Sequence, residues 1–370
     1  MMRTRRSKLI TLFLVGSVFA LVLLVSDRPV PVPRPPEPEL PRAVVTMGDS
    51  TISGEGAGDY LPGTDGRDGN WCHRSSEAVI RQLNLPSEVK RFNLACSGAR
   101  AGTVGLDSGT DDARSSQAAE LARLAERYRI TEIVVAVGAN DDPDFVGVLN
   151  SCVQAWISKT PGGCSKRLRN EWPDRVEDMR PKVGEALADI KNVMRRAGYT
   201  RDDYSLVLQS YASPVGPGIR PDLHGLSGCP LRGLDVRWVR NTAVPQLSAG
   251  LREVAERQDV RFLDLSRAGH GHEACTASEE AAGTEWFRRL AVDWQDLEHE
   301  KRASHAMQES FHPNATGYAR IAGCLDEFLA SERRQAGCLP DGEGTLRMVP
   351  IERVTSEPTS RSGSRTVSPP

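Results

Sequence analysis

Five short runs of apolar, largely β-branched residues recur along the chain, at 43–47 (AVVTM), 90–95, 132–137 (EIVVAV), 204–209 and 260–265 (VRFLDL). Each has the length of a buried strand. The stretches between them carry a helical period. Residues 115–128 place Ala118, Leu121, Ala122, Ala125 and Tyr128 on one face. Helices are also predicted at 76–83, 175–197, 239–257 and 314–332. Strands alternating with helices predict a parallel sheet covered on both faces. The expected fold class is α/β, a three-layer α/β/α sandwich around a mainly parallel five-stranded sheet.

The two ends break this pattern. Residues 1–8 hold four Arg or Lys, and 9–25 (LITLFLVGSVFALVLLV) form an uncharged, mostly apolar run. A basic flank before an apolar stretch reads as a signal peptide or a signal anchor. The run is at the short end for a spanning helix. The bulky residues at 21–25 offer no small-x-small cleavage site, which favours an uncleaved anchor. The basic flank then keeps residues 1–8 cytoplasmic and places the rest outside. If the segment is cleaved, the protein is secreted. Residues 26–42 are Pro-rich and read as a stiff extended linker. Residues 341–370, rich in Ser, Thr, Arg, Pro and Gly, read as a disordered tail. One domain at 43–340 remains, about 300 residues, enough for one large core.

The formal net charge of −2 is spread without blocks. It points neither to nucleic acid as a partner nor to disorder. There are eight cysteines: Cys72, Cys96, Cys152, Cys164, Cys229, Cys275, Cys324 and Cys338. An even number in an exported chain suggests disulfides. No CxxC pair points to zinc. Connectivity stays open, with sequential pairing the simplest choice. His270 and His272, two apart in a loop with no third ligand in view, make a poor metal pair, so no metal is expected.

In a parallel sheet the reactive loops follow the carboxyl ends of the strands, and the chemically suggestive residues do so here. The first strand runs into Gly48-Asp49-Ser50. Gly48 permits a sharp exit, and a helix starting there would aim backbone N–H groups at the serine. The second ends at Asn93-Leu94-Ala95-Cys96-Ser97-Gly98, where a glycine lets its N–H approach a ligand. The third ends at Gly138-Ala139-Asn140-Asp141, and an Asn amide can donate to a developing oxyanion. Late in the chain comes Glu309-Ser310-Phe311-His312-Pro313-Asn314. A carboxylate three residues before a histidine can reach its Nδ1. Singly, each block could be an ordinary turn.

Together, in this order and spacing, the four blocks resemble the SGNH, or GDSL-type, hydrolase family, over about residues 43–338. The likeness is nearest to its secreted actinobacterial lipase/esterase branch. The Cys-His-Arg-Ser-Ser stretch at 72–76, the Gly-His-Glu-Ala-Cys stretch at 271–275 and the Glu-Ser-Phe-His-Pro-Asn ending at 309–314 match that branch. Thr51 stands where the family often has Leu. The resemblance implies a flavodoxin-like sheet, with Ser50 as nucleophile and His312 as base and then acid. It implies Gly98, Asn140 and the Ser50 N–H as the oxyanion hole. Glu309, where the family usually has Asp, becomes the orienting acid. It also implies the pairs Cys72–Cys96, Cys152–Cys164 and Cys229–Cys275. The pair Cys324–Cys338 rests on proximity.

The activity so implied is an extracytoplasmic serine esterase or lipase working through an acyl-enzyme, with no cofactor and a monomeric chain. Its partners are an ester substrate (lipid, small acyl ester or acylated glycan) and a membrane met through the N-terminal segment. Aromatic residues make up only 5 % of the chain, and no feature marks an acyl-chain pocket. An O-acetyl esterase or acyltransferase acting on cell-surface glycan is one alternative. A non-catalytic tethered binding protein is another.

Overall fold

The computed structural model describes residues 40–106, 116–293 and 305–356. The segments at 1–8 and 9–25, the linker as far as residue 39, and residues 357–370 lie outside these. Among the described residues no helix is long and apolar enough to cross a membrane.

A seven-stranded sheet runs through the molecule in the order β2-β1-β3-β4-β5-β6-β7. Its strands are β1 (Arg42–Gly48), β2 (Lys90–Asn93), β3 (Arg129–Ala136), β4 (Ser205–Gln209), β5 (Arg261–Asp264), β6 (Gln335–Pro340) and β7 (Leu346–Val349). The first six pair in parallel, and β7 pairs antiparallel to β6. Residues 43–45 of β1 and 133–136 of β3 are buried, as central strands covered on both faces require. On one side lie α2 (Gln117–Ala125), α4 (Ser165–Arg196) and α5 (Val244–Gln258), packed in series. On the other lies α6 (Ala315–Leu329), beside the short helix Val79–Gln82. The expected α/β sandwich therefore holds, with seven strands in place of five.

The two added strands also revise the C-terminal boundary. Residues 341–356, read as the start of a disordered tail, contain β7 and a closing helix, Ile351–Thr355, that packs on β6. Both added strands are short, and β6 is broken by Gly337 and Pro340, so they show no clear period of their own. Asp341 makes their hairpin, its carboxylate accepting from the N–H groups of Glu343 at 2.9 Å and Thr345 at 2.8 Å.

Helix α4 begins well before the expected 175, and Pro173 and Pro181 lie inside it. Burial overrides their cost. Leu168, Trp172, Val176, Met179 and Val183 line its inner face, and the Trp172 indole N–H donates to the Ala243 carbonyl at 3.0 Å. A further helix, α3 (Phe145–Ile157), has no counterpart in the hydrophobic pattern. Its apolar residues spread beyond one buried stripe, and Val146 and Ile157 are each 49 % exposed.

All eight cysteines are paired, as Cys72–Cys96, Cys152–Cys164, Cys229–Cys275 and Cys324–Cys338. The last staples α6 to β6 across a separation of 14 residues. Closing a loop of that size contributes about 3 kcal/mol by restricting the unfolded chain. Replacing Cys324 and Cys338 together by Ser should lower the unfolding free energy by about 2–4 kcal/mol, read as a lower urea midpoint.

Candidate active site

The site is built where β1 leaves the sheet. Gly48 has φ +131°, and a Cβ there would sit 1.9 Å from the Ala136 carbonyl oxygen, so no other residue fits. The buried Gln117 side chain clamps this peptide from both sides. Its Oε1 accepts from the Gly48 N–H at 2.7 Å, and its Nε2 donates to the Gly48 carbonyl at 2.8 Å. Asp49 then caps α1 (Ser50–Ser53), accepting from the Thr51 N–H at 3.0 Å and hydroxyl at 2.8 Å. Ser50 becomes the first residue of that helix.

The Ser50 hydroxyl meets His312 Nε2 at 2.8 Å. The two residues are 262 apart in sequence, and the sheet and α6 bring them together. Gly98 takes φ +77°, with nothing within 4 Å of the place a side chain would occupy. The disulfide Cys72–Cys96 and the Ser97 N–H, donating to the Cys72 carbonyl at 3.2 Å, fix its loop. The Asn140 amide donates to the Ala99 carbonyl at 3.2 Å. The Asp141 carboxylate accepts from the Ala101 N–H at 3.1 Å. These two bonds lock the loops after β2 and β3 to one another.

A cleft of about 310 Å³ opens over Ser50, Gly98, Asn140 and His312. Much of its wall is apolar and includes Phe145, Leu149, Val153, Leu265, Phe287 and Leu290. Helix α3 supplies the first three.

Glu309 does not take the expected place. Phe311 adopts φ +63°, and the His312 N–H donates to the Glu309 carbonyl at 3.3 Å, closing a tight turn. The carboxylate is turned from the ring. It accepts from the Tyr60 hydroxyl at 2.7 Å and pairs with Arg288 at 3.2 Å. Two good donors outside the turn thus outcompete the imidazole. His312 Nδ1 makes no regular hydrogen bond among the described residues. Burial lowers the His312 pKa below its ordinary value. The Glu55 charge, the backbone carbonyls of Ser310 and Gln308, and the Glu309 charge oppose that shift in decreasing order.

His270 and His272 lie in separate surroundings. His272 stacks on Trp286 at 3.9 Å, and its Nδ1 lies 2.9 Å from the Thr284 carbonyl. His270 is pushed down to about 3 by burial, with the charges of Arg240 and Arg267 adding to it. Among the described residues the grouping of metal-type ligands is Cys152, Cys164 and Asp235, and both sulfurs are in a disulfide.

Several residues that shape the site have no signal of their own in the sequence. Tyr211 donates to Asp49 Oδ2 at 2.5 Å and accepts from the Ala139 N–H at 3.3 Å, joining the Ser50 turn to the Asn140 loop. Tyr318 donates to the carbonyls of Glu55 at 2.9 Å and Ser50 at 3.2 Å. Glu55 and His73, both buried, form a hydrogen-bonded cluster with the half-buried Ser97 and Gln308. Asp49 and Glu55 flank Ser50 in the GDS and GEG triplets, and that adjacency was the available signal.

A model of the GDSL-like Lipase/Acylhydrolase family matches residues 46–320. Lipase 2 of Streptomyces coelicolor is 25 % identical over 282 residues, which cover 75 % of this chain and 82 % of that protein. The crystal structure of an extracellular lipase from Streptomyces rimosus shares 18 % identity with a TM-score of 0.50. The match covers 78 % of this chain and all of that one, a likeness of fold.

Burial raises the pKa of Asp49 from 3.8 to about 6, against the hydrogen bonds from Tyr211 and Thr51. The folded state therefore prefers the protonated acid. Its effect on stability is most favourable below the unfolded value and is lost as pH rises through the folded one. The stability of the wild type relative to Asp49→Asn should fall by ~1–3 kcal/mol between pH 4 and 7, measured by urea unfolding at each pH.

Proposed function

Since this chain belongs to the GDSL-like lipase/acylhydrolase family and is a serine-type ester hydrolase, we propose that Ser50 and His312 form its catalytic dyad and that it cleaves acyl esters outside the cytoplasm. The observation that carries the dyad is the 2.8 Å contact between Ser50 Oγ and His312 Nε2 at the floor of the cleft. That is within reach for proton transfer from nucleophile to base. Burial keeps the ring below its ordinary pKa, so it is neutral and able to accept a proton at pH 7.

Ser50 Oγ attacks the ester carbonyl carbon as His312 Nε2 takes the hydroxyl proton. The carbonyl electron pair moves onto oxygen. There it meets the N–H groups of Ser50 and Gly98 and the Asn140 amide. Collapse breaks the bond to the leaving oxygen, which takes the proton from His312, and the acyl group stays on Ser50. Water then repeats the sequence, with His312 as base, and releases the acid. Glu309 makes no hydrogen bond to the ring in these steps, and its charge is the weakest of the groups that favour the imidazolium. The carbonyls of Ser310 and Gln308 favour the imidazolium instead.

The apolar wall supports an acyl chain longer than acetyl. Phe145, Leu149 and Val153 face the same cleft as the dyad, a surface that an acetylated sugar would leave unmatched. Four disulfides support an oxidising compartment, and the basic flank with its apolar run at 1–25 supports export.

Ser50→Ala should remove nearly all nitrophenyl-ester turnover with the unfolding midpoint kept, and undiminished turnover would sink the dyad. Asn140→Ala should lower kcat by roughly 10²–10³. For nitrophenyl esters, kcat/KM should rise with acyl length from acetyl by up to about fourfold per methylene that the wall covers. A flat or falling series would favour the O-acetyl esterase reading.

A further inference from the structure

The dyad has a base whose Nδ1 meets no carboxylate, yet a buried carboxylate lies close by. Glu55 follows Ser50 by little more than one helical turn, and its N–H donates to the Ser50 carbonyl at 3.2 Å. The next residue, Gly56, packs so tightly on the base that a Cβ there would stand 2.9 Å from His312 Cβ. The Glu55 side chain is fully buried. Among the described residues no Lys or Arg lies within ion-pair distance of it.

Four donors face it. His73 Nδ1 lies 2.8 and 2.9 Å from the two oxygens, the Ser97 hydroxyl and Gln308 Nε2 each donate at 2.7 Å, and the Tyr60 hydroxyl, shared with Glu309, lies 3.3 Å from Oε1. Gln308 belongs to the turn that carries His312, so the carboxylate also pins that turn to the nucleophile's side. Arg288 adds a second pin. It donates from Nε to the Gly56 carbonyl at 2.7 Å and from its N–H to the His312 carbonyl at 2.8 Å. Burial alone would raise the pKa of Glu55. The His73 hydrogen bond, the charges of His312 and His73 and the Ser97 hydrogen bond outweigh it, and the net shift is downward. A negative charge therefore persists there at neutral pH.

We propose that Glu55 is the acidic positioning residue of this site: a fixed charge behind the dyad that favours the imidazolium of His312 during the reaction and, through Gln308, holds the 308–312 turn in register with Ser50. This rests on the dyad assigned above, and it gives Glu55 the role the sequence pattern assigned to Glu309. Other ionisable groups around the pair are His73 and Tyr60 from the segment after α1, and Arg288, His305 and Glu309 from the segment before α6. Asp49 and Tyr318 complete them.

The test is the pH dependence of kcat/KM with a nitrophenyl ester, for wild type, Glu55→Gln and Glu309→Gln, each checked for a cooperative unfolding transition. Removing an opposite charge at this range lowers the proton affinity of His312. The acid limb of Glu55→Gln should move down by about one pH unit, with kcat about tenfold lower and KM little changed. Glu309→Gln should move the limb less, because its carboxylate is partly exposed and already paired. Glu55→Asp should restore the limb by restoring the charge.

A folded Glu55→Gln whose limb stays at the wild-type pH overturns the proposal and leaves Glu55 a packing residue. So does a larger shift in Glu309→Gln. Should Glu55→Gln not fold, Glu55→Asp and Glu309→Gln decide together: a wild-type limb in the first with a shift well under one unit in the second upholds the proposal, and a full-unit shift in Glu309→Gln overturns it. Turnover surviving in Ser50→Ala or His312→Ala would instead remove the dyad itself, whatever Glu55 does.

Discussion

The peptide at Gly48 is the constraint on which the site depends. The chain leaves the sheet there along a path only glycine can follow, against the Ala136 carbonyl. Gln117 holds both backbone polar groups of that residue. Asp49 passes the constraint on, to Thr51 on one side and to Tyr211 on the other. Tyr211 in turn holds the Ala139 N–H, next to Asn140. Ser50 and Asn140 therefore sit on one hydrogen-bonded frame. Nucleophilic attack tolerates little misplacement, about 1 Å costing of order a hundredfold. A frame fixed by backbone sterics suits that demand.

Two buried carboxylates flank Ser50, and their surroundings send them in opposite directions. Asp49 has hydroxyl and amide donors but no cation, and desolvation prevails. Glu55 has histidines on two sides, and its ionised form prevails. Among the described residues no arginine or lysine pairs with either. A guanidinium placed here would have bound Glu55 tightly and cancelled its field at His312. Arg288 comes near, but it bonds to the Gly56 carbonyl and to Glu309.

Much of this was legible in the sequence because parallel strands buried on both faces must be apolar throughout. The runs at 43–47 and 132–137 could be little else, and Ser50 and Asn140 follow directly after them. Other features depend on geometry that residue types do not encode. The direction of Glu309 is set by a tight turn with Phe311 at positive φ. The cleft wall comes from α3, whose apolar residues do not form one stripe. Strands β6 and β7 close one end of the sheet and are short, and β6 is broken by Gly337 and Pro340. The Glu55 cluster draws on positions 55, 73, 97 and 308, which only the completed fold brings together.

The distance along the chain between Ser50 and His312 has a consequence for the nascent protein. The two are 262 residues apart, and the contact between them is among the least local in the molecule. Contacts of such long loop closure form late, once more local structure has repaid its entropy. A chain still being made, or cut short before α6, carries an ordinary alcohol at position 50. The pairing of that alcohol with a base is then a property of the finished molecule.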